Sequence, residues 1–384
     1  MNTAGGWTFH QPVRIVQCPG AWAESAARFA GGRPCLLVTS PGWQARGAVE
    51  TFRNASGDAP VRVSLVRRPN PDLTDIVAAR TAIEGTEIAC VVALGGGSVL
   101  DSAKALGFLL GTDEPDTFGD HLAKGAPVTS RGVPLAAVPT TAGTGSEVTS
   151  TATVWDRALG KKHTLGSPAL YPEAAFLDPT LTLALPFEPT AASALDALSH
   201  ALESAWNRNA TPVSLGFAAQ AMRILTADLR GLLGALDDLT LRTRVQEAAL
   251  FAGMAIGATR SALAHSISYP LTLAFDLPHG VACSFTLPAV LEFNRSELTG
   301  DFARFLAMAG FASAEGLGSA VRELLLAAEV PEILRRHVPS EEAAMNLAPA
   351  MITPSRAGNN LRAASPGDCA RIVARSYELL GVRP

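Results

Sequence analysis

The sequence predicts an α/β domain followed by an all-helical one, and three observations predict it. Short β-branched runs alternate with helical patterns through the first half. A stretch with three prolines, "LDPTLTLALPFEPT" (177–190), interrupts that alternation. Beyond it, long Ala/Leu-rich segments replace the strand signal. A chain of 384 residues is also too long for one compact core. The expected division is residues 1–185 for the α/β domain and 186–384 for the helical one.

In the first half, "PCLLVTS" (34–40), "VRVSLV" (61–66), "IACVVAL" (88–94) and "PLAAVP" (134–139) are short and apolar enough to be buried strands. Helical stretches such as "LTDIVAARTAIEG" (73–85) separate them, which argues for a parallel sheet covered on both faces. After about residue 190 the helical segments are 190–207, 213–235, 240–258, 260–275, 315–328 and 340–351.

Composition excludes several classes. The chain is 48% hydrophobic and 17% charged, yet no run reaches the ~18 apolar residues of a spanning helix. A net charge of −4, without long charged blocks, argues against nucleic acid or an anionic membrane as partner. The start, "MNTAGGWTFHQPVRIV", lacks a basic segment followed by an apolar one, so a cytoplasmic location is expected. Cys18, Cys35, Cys90, Cys283 and Cys369 are scattered, with no CxxC pair. Cys35 and Cys90 fall in strand-like runs and read as small core residues.

"ALGGGSVLDSAKALG" (93–107) follows a strand-like run and opens a helix. Gly95, Gly96 and Gly97 allow close approach of a ligand, and Ser98 is expected to cap a helix beginning near Val99. The N–H groups and dipole of such a helix suit a pyrophosphate. A tight strand-to-helix turn explains the glycines equally well, since the spacing is neither GxGxxG nor a Walker pattern. A second loop, "PTTAGTGSEVT" (139–149), adds the hydroxyls of Thr140, Thr141, Thr144 and Ser146 after another strand, as the crevice rule for open sheets requires.

"LDALSHALES" (195–204) places Asp196 and His200 four residues apart on one helical face. Further on, His265 lies in a helical pattern and His279 at a Pro-His-Gly break. Singly, each reads as a helix charge or a satisfied core histidine. Together, one carboxylate and three of seven histidines form a plausible divalent-metal set, better suited to Fe(II), Zn or Ni than to Mg or Ca.

In this order, "GGGSVLDSAK", "AVPTTAGTGSEVTSTATVWD", "LDALSHALES", "ALAHSISYPL" and "LPHGVACSFTLP" resemble the iron-dependent (group III) alcohol dehydrogenases over nearly the whole chain. The resemblance implies a Rossmann-like dinucleotide-binding domain and an all-α metal-binding domain, the dehydroquinate synthase-like fold, with the active site in the cleft between them. It implies Asp196, His200, His265 and His279 as metal ligands. It implies Gly96, Gly97, Ser98, Asp101, Thr140, Thr141, Thr144, Ser146 and Lys162 as cofactor residues. Within the family, "HALESAWNRNATPVS" and "ALAHSISYPLT" with "PHGVACSFTLP" look most similar to phosphonoacetaldehyde reductases, which make 2-hydroxyethylphosphonate. Two departures stand out. Many members carry a further His four residues after the third ligand, where this chain has Tyr269. The common "NNPR" appears as "NNLR" (359–362), which leaves the role of Arg362 open.

The expected activity is metal-dependent reduction of a small aldehyde to a primary alcohol. The expected metal is Fe(II), with Zn, Mn or Ni as alternatives, and the assembly a homodimer. Rivals are a primary-alcohol dehydrogenase for uncharged substrates and a metal- and NAD-dependent lyase of dehydroquinate synthase type. A non-catalytic nucleotide-binding protein is a third. Ser40 aligns where NAD-selecting members place an Asp, so NADPH is expected, with NADH the alternative; a turn-starting Ser explains it as well. Tyr269 is expected to orient substrate or join a proton path, unless it is simply packed. For a phosphonate, Arg260 (on the helix predicted to carry His265), Arg208 and Asn207 are the candidate donors, each also readable as solvated surface.

Overall fold

A computed structural model describes residues 6–112, 118, 119, 122, 132–158 and 161–382. Contacts divide the chain into two units. One comprises residues 11–141 and 146–182; the other takes residue 183 onward together with residues up to 10 and the short loop Ala142–Gly145. A single cut after residue 185 therefore does not describe the division, because the 142–145 loop groups with the helices.

The first unit is built on a six-stranded parallel sheet. Its strands are β1 (Arg14–Gln17), β2 (Cys35–Thr39), β3 (Val61–Leu65), β4 (Cys90–Gly95), β5 (Leu135–Pro139) and a last strand at Ala174–Leu177. Their order across the sheet is β1, the Ala174–Leu177 strand, β5, β4, β2, β3, with Cys35 opposite both Cys90 and Val61. Every residue of β2, β4 and β5 is buried, which is why they read as unbroken apolar runs rather than alternating ones. β1 and the last strand have only four residues each and left no clear pattern. From β2 the chain moves outward to β3, then returns to place β4 on the other side of β2. The strand order thus reverses at the carboxyl ends of β2 and β4, the position where open sheets bind ligands.

An antiparallel pair, Thr151–Asp156 with Lys161–Gly166, lies outside this sheet and was not anticipated from sequence. Lys104, on the helix Gly97–Leu110, staples the start of the pair. Its buried Nζ donates to the carbonyls of Thr149 and Thr151, each at 2.8 Å.

The second unit is helical, and its core is dominated by alanine and leucine. Long helices span Phe187–Ala205, Pro212–Gly234, Leu239–Thr259 and Leu263–Phe275. Thr211 and Ser214 form a capping box ahead of the second, and Asp238 caps the third through the Leu241 N–H. The expected helix over 260–275 is shorter than its pattern. Thr259 ends one helix and Leu263 begins the next, so Arg260 does not share a helix with His265. The pattern at 340–351 resolves into a short helix, Glu341–Met345, and a single turn at Ala348–Ala350. Among the described residues, no helix is long and apolar enough to cross a membrane.

Candidate metal centre

Asp196, His200 and Glu203 follow one another at four- and three-residue spacing along the Phe187–Ala205 helix, so they share one face, and all three are buried. His265 arrives on the first turn of Leu263–Phe275, and His279 opens the short helix His279–Ser284. Asp196 Oδ1 lies 3.5 Å from His200 Nε2, 3.5 Å from His265 Nε2 and 3.8 Å from His279 Nε2. The His200 and His265 rings stack with centroids 5.0 Å apart, and His279 meets His265 edge-on.

These separations are long for hydrogen bonds. Asp196 Oδ1 and His265 Nε2 are both buried without a hydrogen-bond partner. Ligand atoms ~2.1 Å from one tetrahedral ion stand ~3.4 Å apart, so a single divalent metal would satisfy the whole set. One carboxylate with three imidazoles suits Fe(II), Zn or Ni. Burial would raise the Asp196 carboxyl, but the surrounding imidazoles, His200 foremost, outweigh it and hold the group below the usual carboxylate range.

Glu203 explains how His265 is aimed. Its Oε2 accepts from the Ala262 N–H and from His265 Nδ1, both at 2.7 Å, and Oε1 accepts from the His265 N–H at 3.1 Å. A carboxylate beside the first N–H groups of a helix is favourable in its own right. Because a carboxylate only accepts, Nδ1 carries the proton and Nε2 keeps its lone pair. Sequence reasoning missed Glu203, although its position seven residues after Asp196 was a visible signal.

His279 depends on the glycine beside it. A Cβ at Gly280 would fall 1.8 Å from the Ala192 carbonyl oxygen and 3.1 Å from the Asp196 nitrogen. Only glycine allows this helix to approach so closely. One turn on, Cys283 brings a thiol into the cluster: ligand atoms of Asp196, His265, His279 and Cys283 all lie within 4.8 Å of one another. The cysteine count gave no hint of this, whereas the four-residue spacing from His279 would have.

In the other unit, the Gly-rich loop closes β4. Its helix starts at Gly97 with Gly96 at the N-cap, not near Val99. Ser98 does not cap it; its Oγ instead accepts the Asn70 N–H at 3.1 Å. A Cβ at Gly96 would sit 3.2 Å from Thr141 Cγ2, so the two expected loops touch. Thr140 Oγ1 accepts from Trp43 Nε1 at 3.2 Å. Ser40 follows β2 directly and caps the short helix Pro41–Ala45 through the Trp43 N–H.

Asp101 is turned inward. It accepts from Ser146 Oγ at 2.7 Å and from the Thr153 N–H at 2.8 Å, and burial raises its pKa. Asp101 and Ser146 therefore bond each other within the fold. Lys162 lies on the antiparallel pair with Nζ 5.3 Å from the Trp155 ring centroid. Thr144 belongs to the helical unit.

Among the described residues, no hydrogen bond or ion pair joins the arginines chosen from sequence to the metal cluster. Exposed Arg208 donates to the Leu361 carbonyl at 3.0 Å. Buried Asn207 donates to the Arg260 carbonyl at 2.8 Å. Arg260 is exposed, with φ of 66°, a left-handed backbone unusual outside glycine. Tyr269 is half-buried one turn beyond His265. The Arg356 guanidinium, which sequence reasoning passed over, lies 4.2 Å from the centroid of its ring.

Comparison with known proteins agrees with this architecture. The matched stretch of the probable alcohol dehydrogenase EutG of Escherichia coli is 37% identical and covers 59% of this chain but 56% of that protein, so the chain spans only a little over half its length. The phosphonoacetaldehyde reductase of Streptomyces viridochromogenes is 35% identical over 77% of this chain and 74% of its own. The sulfoacetaldehyde reductase of Bifidobacterium kashiwanohense, solved in complex with NAD+, superposes with a TM-score of 0.88 at 28% identity, covering 99% of this chain and 100% of its own. Profiles described as iron-containing alcohol dehydrogenase and as the C-terminal region of that family match residues 12–179 and 190–377. With both halves matched, the chain belongs to the iron-containing alcohol dehydrogenase family.

Proposed function

We propose that this protein reduces a small aldehyde to its primary alcohol with a reduced nicotinamide dinucleotide and a divalent metal, and that the aldehyde is phosphonoacetaldehyde. The observation that carries the reaction class is the convergence of the Asp196 carboxylate and three imidazole Nε2 atoms, two of these buried donors lacking any other partner. The finer reading draws on the relatives. Two of them are named for two-carbon aldehydes that bear an oxyanion, a phosphonate in one and a sulfonate in the other.

When bound, the metal supplies Lewis acidity at the carbonyl oxygen, and the nicotinamide supplies the hydride. The chain's own residues do the rest. Asp196 contributes the one negative charge among the four metal ligands, with His200, His265 and His279 as the others. Glu203 keeps the His265 proton on Nδ1, leaving Nε2 as the donor. Tyr269, where many relatives carry an imidazole, offers its hydroxyl to orient the substrate or pass a proton to the forming alcohol. Gly96, Gly97 and the Gly97–Leu110 helix N-terminus, with Thr140 and Thr141 beside them, receive the cofactor phosphates. At the end of β2, neutral Ser40 and nearby Arg46, whose NH1 bonds the Gly42 carbonyl at 2.9 Å, favour NADPH.

The test is the absorbance of NADPH with phosphonoacetaldehyde, sulfoacetaldehyde and propanal, before and after chelation. Chelation and His279→Ala should both abolish turnover, with Fe(II) restoring the chelated protein. Full activity in metal-free protein would reject the mechanism, and preference for propanal would reject the phosphonate. An uncharged-substrate alcohol dehydrogenase is then the reading left.

A further inference from the structure

The segment after Met351 is fastened to the helix that carries His265. Ser266 Oγ donates to the Met351 carbonyl at 2.6 Å and accepts the Thr353 N–H at 2.8 Å. At the other end, Asn359 Nδ2 donates to the carbonyls of Ser261 at 2.8 Å and Ser355 at 3.0 Å. Between these ties lies the short helix Pro354–Ala357, and on it Arg356, half-buried, seated on the Tyr269 ring. Its backbone is thus held on both sides, and its guanidinium is held by an aromatic face.

Tyr269 follows His265 by four residues, so the two side chains rise from one helical face about 6 Å apart. In a two-carbon aldehyde with a terminal oxyanion, bonds of ~1.5 Å put the anionic group ~4–5 Å from the carbonyl oxygen. The helical offset between these two side chains is of the same order as that span. A guanidinium resting on a ring keeps its N–H donors pointing outward at its edge, the arrangement that grips two oxygens of one phosphonate or sulfonate. Partial burial also strengthens its attraction for an anion relative to that of a solvated arginine. Arg208 donates to the Leu361 carbonyl, and Arg260 is exposed.

We propose that Arg356, seated on Tyr269, recognises the tetrahedral oxyanion of the substrate and so sets specificity for aldehydes that carry one. This inference rests on the reading of the metal cluster as the site of aldehyde reduction, but not on phosphonate over sulfonate. Its test uses the metal-loaded full chain, wild type, Arg356→Gln, Arg356→Lys and Arg260→Ala. kcat/KM is measured for phosphonoacetaldehyde, sulfoacetaldehyde and propanal, and binding of 2-hydroxyethylphosphonate is measured by calorimetry. Arg356→Gln should lower the ratio of oxyanion aldehyde to propanal by roughly tenfold or more, chiefly through KM, and weaken calorimetric binding similarly. Arg356→Lys should recover part of both, since it keeps the charge but loses the fork. If Arg356→Gln slows all three aldehydes equally, or Arg260→Ala alone shifts the ratio, the proposal is overturned. If sulfoacetaldehyde is preferred and the ratio still collapses, Arg356 keeps its role and only the phosphonate falls. A wild type indifferent to the oxyanion removes both.

Discussion

Glu203 Oε2 lies 2.7 Å from His265 Nδ1, and this contact decides which imidazole nitrogen faces the metal cluster. The same carboxylate ties down the Ala262 and His265 N–H groups, so it positions the ring and the backbone beneath it. Glu203→Gln should stay folded, because an amide oxygen can still accept one of these bonds, yet bind metal about 10- to 100-fold more weakly. Titration of the apoprotein with Fe(II) or Zn(II) measures this directly. Unchanged metal affinity would leave Glu203 a purely structural carboxylate.

Gly280 makes a sharper steric prediction. A methyl group there meets the Ala192 carbonyl oxygen at 1.8 Å, a backbone atom that cannot swing aside. Gly280→Ala should push the His279 helix away from Asp196, with loss of bound metal and a lower thermal midpoint even in the apoprotein. Overpacking of this kind typically costs about 1–3 kcal/mol or more. A variant with normal metal content and midpoint would mean that the two helices can part without consequence.

Cofactor choice can be tested at Ser40 without disturbing the local fold. Ser40 caps the Pro41–Ala45 helix, and aspartate is an equally good cap. Ser40→Asp should therefore preserve the turn while repelling a 2′-phosphate, shifting the NADPH-to-NADH ratio of kcat/KM by about tenfold or more towards NADH. Arg46→Ala should move it in the same direction. A wild type that already strongly favours NADH would defeat this assignment.

Buried Glu147 predicts a pH effect on stability. Burial pushes its carboxyl up to about 6, against the opposing attraction of Lys104. The folded state then holds the proton more tightly than the unfolded chain. The associated stability is present below the unfolded value near 4.5 and lost as pH rises through about 6. At neutral pH the charged group costs about 2 kcal/mol. Glu147→Gln should accordingly raise the thermal midpoint at pH 7 and flatten its slope across this window. If the variant is no more stable than wild type at pH 7, the carboxylate is better compensated than its burial implies.

The sequence by itself determined whatever depends on local period and local chemistry. The apolar runs of β2, β4 and β5 were legible because both faces of a covered parallel strand are dry. Asp196 and His200 were legible as a pair because the helical repeat alone puts them on one face. The order of the motifs carried the family. Tertiary packing decided everything that joins distant segments. The backbone break at Arg260 separates it from the helix of His265, although the residue pattern runs through both. Asp101 looked like a ligand residue beside a phosphate loop; its carboxylate accepts from Ser146 and Thr153, a partnership no spacing encodes. Arg356 stands 87 positions beyond Tyr269. It reaches that ring because Ser266 fastens its segment to the same helix and Asn359 ties it to Ser261 in the break just before that helix, and hydrogen bonds between remote segments leave no periodic trace in a sequence.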